Sequence, residues 1–379
     1  LNNSPNDILS QIKLFQNAKN STIPNVRNLE NFFSGLERNL KGLDRQKDRE
    51  AYFTAVIENA KRIRENVLKY LMIRRTRTEI TKYYGADLAA QGLHFPEVAA
   101  PEPLFYLLDE KESQLFTHTS ERILRDFTFA RYNPLDPHYY KPETEALERQ
   151  SGANLARFMR VLLVKRLESS FHAFRLTLGR FVRSYESFIR EFEKGSAFIS
   201  KKHLRKVFSA LEEGNEEEVQ RLIDEEKAER LPASDFKPQF LEDLKKDLSI
   251  LLELEAFWAE VKRDPKWDSF KDRLVSDKLL KKEKVIIFTE SQETAGYLAD
   301  HIAREVDKAV LAFSGQAGEE ERRRVIANFD ARAYRRKDDV RILVTTDVLS
   351  EGVNLHRSCV VINYDLPWNP TRLMQRVGR

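Results

Sequence analysis

Residues 341–379, RILVTTDVLSEGVNLHRSCVVINYDLPWNPTRLMQRVGR, decide the fold. Two apolar runs rich in β-branched residues, Ile342–Val344 and Cys359–Ile362, have the length and composition of buried parallel strands. The first runs into the polar turn TTDVLSEGVNL. The second runs into NYDLPWNPTRLMQRVGR, where a Pro-Trp loop opens a helix bearing Gln375, Arg376 and Arg379. A buried strand followed by a polar loop delivers its functional groups to the carboxyl edge of a sheet, where α/β folds bind ligands.

Working outward, the same grammar extends back to Lys284. Val285–Phe288 and Val310–Phe313 read as strands, Ser291–Arg304 and Gly318–Phe329 as helices, and Arg332–Asp339 as a charged loop. Four strands with intervening helices imply right-handed crossovers and one parallel sheet. Each strand end offers small hydroxyls or a glycine: Thr289 after the first, Ser314–Gly315 after the second, Thr345 and Thr346 at the third. Near helix N-termini such groups suit an extended phosphate backbone, although Ser and Thr cap helices everywhere.

Upstream the pattern is helical. Ser4 and Pro5 start a short helix, and Leu29–Leu71 reads as helical into YLMIRRTRTEI, where Arg74, Arg75 and Arg77 are either a solvated helix end or a phosphate contact. Leu104–Leu108 reads as a strand, and Asp109-Glu110 as acids at the following helix start. Beyond a Pro- and Tyr-rich break at 132–142, Val164, Leu167, Phe171, Phe174, Leu178, Phe181, Tyr185, Phe188 and Phe192 recur at alternating spacings of 3 and 4. That repeat predicts one long helix in a coiled-coil finger, with Leu241–Trp258 as its return and Glu212–Arg230 as a solvated acidic helix. Lys165, Arg166, Arg175, Arg180 and Arg183 along the finger either touch a nucleic-acid backbone or keep a long helix soluble.

Composition sets outer limits. The 379 residues include 64 basic and 60 acidic side chains, a balance that neither demands nor excludes a nucleic-acid partner. The single cysteine, Cys359, is expected to be a buried structural thiol, and no zinc-ligand spacing occurs. No apolar run approaches the roughly 20 residues that span a bilayer, so no membrane partner and a cytoplasmic location are expected. No G-x-x-x-x-G-K-[ST] phosphate loop is present.

The combination VIIFTES, FSG, EEERRRVIANF, VTTDVLSEGVNL and QRVGR closely resembles motifs IV, V and VI of the second RecA-like lobe of superfamily-2 helicases. VINYDLPWNPTRLMQRVGR is particularly similar to the Swi/Snf-type ATPases and their bacterial relatives, including the RNA-polymerase-associated one. The resemblance implies an α/β lobe over 265–379, with the end of a first lobe, a helical protrusion and a linker over 1–100. It implies a first strand and helix leading into the second lobe over 101–131, and a helical insertion over 132–264. It places Gly352, Asn354 and Asp347 at the ATP, with Asn354 where many members have Asp, and Gln375, Arg376 and Arg379 at the catalytic cleft, Arg379 as the arginine finger. Thr345, Thr346, Thr289, Ser314 and Gly315 fall where a nucleic-acid strand is held, and Arg322 on an arginine that braces the lobe. ATP and magnesium would serve the full-length protein, with neither expected on this chain, which would run from after motif III to the middle of motif VI. The implied partner is double-stranded DNA, the implied state a monomer. The alternative is a protein-interaction module that docks RNA polymerase or a nuclease subunit through the finger.

Overall fold

A computed structural model of the protein describes residues 5–43, 48–73, 76–92, 95, 97–199, 229–315, 317–347, 353–368 and 370–378. Arg74, Arg75, most of 212–230, Gly352 and Arg379 therefore lie outside the described residues. The chain divides into two compact units, Leu1–Ala99 and Ala100–Arg379.

In the first unit, helices α1 (Pro5–Ile12), α2 (Leu29–Leu40), α3 (Arg49–Ile63) and α4 (Arg77–Ala90) follow one another. Leu9, Ile12, Ile23, Val26, Leu29, Phe33, Leu36, Ile63 and Val67 form its core. The expected single helical stretch from Leu29 is broken after Leu40, where Gly42 takes φ +98, a conformation that a side chain disfavours. Asn59 then ties α3 back to α2, its amide donating to the Leu36 carbonyl at 2.9 Å and its oxygen accepting from Asn39 at 3.2 Å.

The second unit begins with an extended segment. Leu104–Leu108, expected as a strand, forms no ladder, and Leu104, Phe105 and Leu107 are exposed. Among the described residues no strand pairs with it, and the four-stranded sheet takes its strands from later in the chain. Asp109 does cap α5 (Glu110–Glu121), in a reciprocal capping box with Glu112.

The aromatic repeat is split between two helices, α6 (Ala146–Ser169) and α7 (Phe171–Glu193). Ser170 is extended and its hydroxyl accepts from the Ala173 amide, so a serine N-cap ends one helix and starts the next inside an unbroken apolar period. A hairpin, β1 (Ser196–Ile199) with β2 (Glu229–Pro232), leads to α8 (Pro238–Ala259), which runs antiparallel to α7. Phe192 meets Phe236 and Phe240 at one end, and Phe171 and Phe174 meet Trp258 at the other. The stripe residues Phe171 to Phe192 are buried, but Leu155, Met159, Leu162 and Leu163 of α6 and Ile123 to Tyr132 share their core. The finger is thus one arm of a multi-helix insertion, and 101–131 contributes to that insertion.

Two short helices, α9 (Pro265–Ser276) and α10 (Lys278–Lys282), precede the lobe. Then come β3 (Val285–Phe288), α11 (Gln292–Glu305), β4 (Val310–Phe313), α12 (Glu319–Phe329), β5 (Ile342–Thr345), β6 (Val360–Asn363) and α13 (Pro370–Val377). The four strands are parallel in the order β4-β5-β3-β6, as the sequence predicts for this α/β part. Alternate strand residues feed two cores: Val285, Ile287, Ile342 and Val344 pack with α9 and α11, while Ile286, Phe288 and Leu343 pack with α12, Val353 and Leu355. Cys359 corrects an expectation. It precedes edge strand β6 and is exposed, with its sulfur 3.8 Å from Glu283, and burial together with that carboxylate raises its thiol pKa.

Trp258 is among the largest fully buried side chains, and its indole N–H donates to Thr119 at 2.9 Å. Trp258→Ala should cost about 3–5 kcal/mol of unfolding free energy, read by urea denaturation, through lost burial and an orphaned hydroxyl.

Candidate functional site

Three of the four strands carry a carboxylate two residues past their last residue: Glu290 after Phe288, Asp347 after Thr345 and Asp365 after Asn363. Parallel strands deliver all three to one sheet edge, where like charges require a cation between them. Arg376 supplies it. Its side chain has no exposed surface, and its guanidinium donates through Nε to Asp347 (2.6 Å), through one terminal nitrogen to Asn363 (2.9 Å) and the Asp365 carbonyl (3.2 Å), and through the other to Glu290 (2.5 Å). The Phe288 ring lies 5.1 Å from it. Arg372, one turn earlier on α13, reaches Asp347 at 3.3 Å and Glu290 at 3.7 Å.

The helical insertion holds the same carboxylates from its own side. Asp365 accepts from Ser169 (2.7 Å), Thr289 (2.5 Å) and the Glu290 amide (3.0 Å) on one oxygen, and from Lys266 (2.8 Å) on the other. Burial alone would raise its pKa, but Lys266 and then the Thr289 and Ser169 hydroxyls outweigh it and hold the carboxyl below its ordinary value. Lys266 also takes the carbonyls of Glu168 and Ser169 at 2.8 and 2.9 Å, a cation at the C-terminus of α6. Lys165 lies 3.8 Å from Glu290. Arg180 and Arg166 approach Glu293, at the start of α11, to 2.7 and 4.0 Å. Arg175 donates to the Val261 carbonyl at 2.8 Å. Of the cations read from sequence as contacts for a nucleic-acid backbone or as solubilising charge, Lys165, Arg166, Arg175 and Arg180 join the insertion to itself and to the lobe.

The expected site residues scatter accordingly. Thr289 and Thr345 are fully buried, one on Asp365 and the other donating to the Thr346 carbonyl at 2.9 Å; Thr346 is buried beside them. Ser314 is half-buried and Gly315 exposed, so of that group only these two reach solvent. Asn354 is exposed between buried Val353 and Leu355, and Gln375 is half-buried beside Arg376. Arg376, expected to face a cleft, is enclosed by its acceptors, and Asp347, expected at the ATP, is engaged by two arginines. Sequence reading passed over Glu290, Asn363, Asp365, Ser169 and Lys266. The repeated signal was a carboxylate two residues past successive strands.

Residues 266–379 match the family described as "Helicase conserved C-terminal domain". This part of the chain is similar to that domain. Among curated proteins, the chain is 37% identical over 112 residues to the "ATP-dependent RNA helicase uap56" of Schizosaccharomyces pombe, covering 29% of this chain and 24% of that protein. It is 38% identical over 103 residues to the "Uncharacterized ATP-dependent helicase YqhH" of Bacillus subtilis, covering 27% and 17%. The chain thus spans about a quarter or less of the length of these relatives. Among solved structures, the Pyrococcus furiosus Hef helicase domain overlaps 80% of this chain and 60% of its own at 17% identity and a TM-score of 0.34.

At the strand-end cluster two outcomes are expected. Arg376→Ala leaves Glu290 and Asp347 buried without their main cation and should cost about 3–5 kcal/mol in chemical denaturation, with Arg376→Lys intermediate because it lacks the planar fork. Burial opposes ionisation of Glu293, but Arg166 and Arg180 prevail and lower its pKa from 4.5 to about 2. Its contribution is therefore complete above pH 4.5 and lost as the pH falls from there towards 2. That contribution is on the order of 3 kcal/mol. Glu293→Gln should flatten this part of the stability–pH curve.

Proposed function

We propose that this chain belongs to an ATP-driven translocase on double-stranded DNA, of the Swi/Snf type, acting in the cytoplasm to remodel protein–DNA complexes. The observation that carries the reading is Arg376. It ties the segments after β3, β5 and β6 to the helix bearing Gln375, so the residues that resemble motifs V and VI form one block at the sheet's carboxyl edge. Such a block moves as a unit when a facing lobe closes on it.

When bound between this lobe and a first lobe, ATP with magnesium would supply the phosphoryl group whose hydrolysis drives movement. The fit to the residues described is partial. Exposed Asn354 and half-buried Gln375 are open to a ligand, whereas the four acceptors of Arg376 occupy its guanidinium. Asn354, with Gly352, would hold the ribose, and Arg379 would meet charge developing on the phosphoryl group, an effect of roughly 10³-fold or more in related NTPases. Arg376 would act one step back, positioning the helix that carries Gln375 and Arg379. Ser314 and Gly315 would receive one nucleic-acid strand through the exposed backbone after β4.

A second reading, an RNA-directed enzyme, is favoured by the printed names of curated relatives such as the RNA helicase uap56. Polynucleotide-stimulated ATP hydrolysis by the full-length protein separates the two. Duplex DNA should raise turnover at least about tenfold and structured RNA should not; stimulation by RNA alone would reverse the assignment. The 379-residue chain alone, without a phosphate loop, should show no turnover with either polymer.

A further inference from the structure

The amino-terminal edge of the sheet carries a second charged surface, away from the strand-end carboxylates. Lys281 and Lys282 lead into β3, Lys308 leads into β4, and the loop at 330–341 leads into β5; all three lysines are exposed, as are Arg332, Tyr334, Arg335, Arg336 and Lys337 in the loop. Because β4, β5 and β3 are neighbours, these cations line three adjacent strand starts, about 4.8 Å apart per strand.

The bland account is a solvated charge run, and such runs usually interleave both signs on their outer face. Here each of the loop's acids has a partner at the loop's base or on the lobe, although the Asp338 side chain stays 72% exposed. Asp330 accepts from the Arg332 amide at 2.7 Å. Asp338 pairs with Lys284 (2.8 Å) and Arg357 (3.1 Å). Asp339 pairs with Arg324 (3.1 Å) and accepts from Asn328 at 2.9 Å. The Lys337 amide donates to the Ala327 carbonyl at 2.9 Å, and its own carbonyl accepts from Arg357 at 2.7 Å. The base of the loop is thus fixed and its acidic charge offset, while Arg335, Arg336 and Tyr334 project, none with a partner among the described residues. The Tyr334 ring is 98% exposed and buries no apolar area in the chain.

We propose that this edge is a second nucleic-acid contact, in which Arg332, Arg335, Arg336 and the flanking lysines bind backbone phosphates and Tyr334 stacks on an unpaired base. It rests on the reading that the protein works on nucleic acid. A row of cations spread over three strand starts matches a run of phosphates, and an aromatic ring among arginines offers a base a stacking face, which an acidic peptide would not need. Lying at the opposite end of the strands from Ser314 and Gly315, the edge would take a different stretch of the polymer.

Fluorescence anisotropy on the full chain tests this, with a labelled 30-nucleotide single strand and its duplex between 50 and 200 mM salt. The variant Arg332→Ala/Arg335→Ala/Arg336→Ala should bind both about tenfold or more weakly at low salt, with the slope of log K against log salt reduced by about two to three. Tyr334→Ala should lose about tenfold for the single strand and little for the duplex. Unchanged melting temperatures exclude misfolding, and Lys281→Ala/Lys282→Ala should give a smaller loss of the same kind. Wild-type binding with unchanged affinity and slope in the triple variant overturns this inference and leaves the proposed function standing. No binding by the wild type overturns both. Loss of binding to phosphatidylserine vesicles, with nucleic-acid binding intact, would make the edge a membrane contact and overturn the assignment.

Discussion

A guanidinium with no exposed surface must have its donors met inside the protein, and Arg376 imposes that demand on the whole second unit. Its acceptors come from the segments after three different strands, so β3, β5 and β6 must be parallel, in register and ending level for the cluster to close. A one-residue slip in any of them would turn a carboxylate to the other face and leave both the anion and Arg376 unmatched. The apolar layers drive the sheet to form; the cation in its carboxyl edge selects which alignment of the strands is tolerated. Ion clusters of this kind add less to net stability than their number implies, because each charge gives up its hydration.

Asp365 and Glu290 extend the same logic to the insertion. Each residue faces two ways: Asp365 meets Ser169 and Lys266 through its carboxylate and Arg376 through its backbone carbonyl, while the Glu290 carboxylate lies between Arg376 and Lys165. The end of α6 is thereby fastened to the groups that hold α13. Ser169 and Ser170 both bond the Thr294 hydroxyl, at 2.7 and 2.9 Å, and their position at the break between α6 and α7 is what brings them there. The interruption of the aromatic repeat is therefore the point at which the insertion meets the lobe.

This explains which parts were legible. The sheet could be read because buried strands such as VIIF and ILVT are apolar, short and bounded by polar turns, and their order of appearance leaves few topologies. The aromatic stripe correctly marked buried residues, but a 3.5-residue period persists across a capped break when both helices face one core, so periodicity overstated the length of the helix. Leu104–Leu108 has strand composition and lacks a partner, and pairing is not a local property. Thr289 and Thr345 were legible as strand-end hydroxyls, whereas the contact of Thr289 with Asp365 is closed over by Ser169, 120 residues away in sequence. Glu290, Asp347 and Asp365 share an offset from their strands that could have been seen, but only assembly shows that they converge.

Charge obeys the same distinction between composition and placement. Counts of 64 basic and 60 acidic residues suggest a neutral surface. Yet Glu290, Glu293, Asp347 and Asp365 are spent within the joint, and Asp330, Asp338 and Asp339 brace the loop before β5. A carboxylate held against a backbone amide leaves a cation elsewhere without its counterpart, and several exposed cations of this unit lie at the sheet's amino edge. The field that an approaching polyanion meets is set by that residue of unpaired charge, within a Debye length of about 8–10 Å, and hardly at all by the sum over the chain. A near-zero net charge is thus compatible with a compensated ion cluster at one edge of a small sheet and exposed cations at the other.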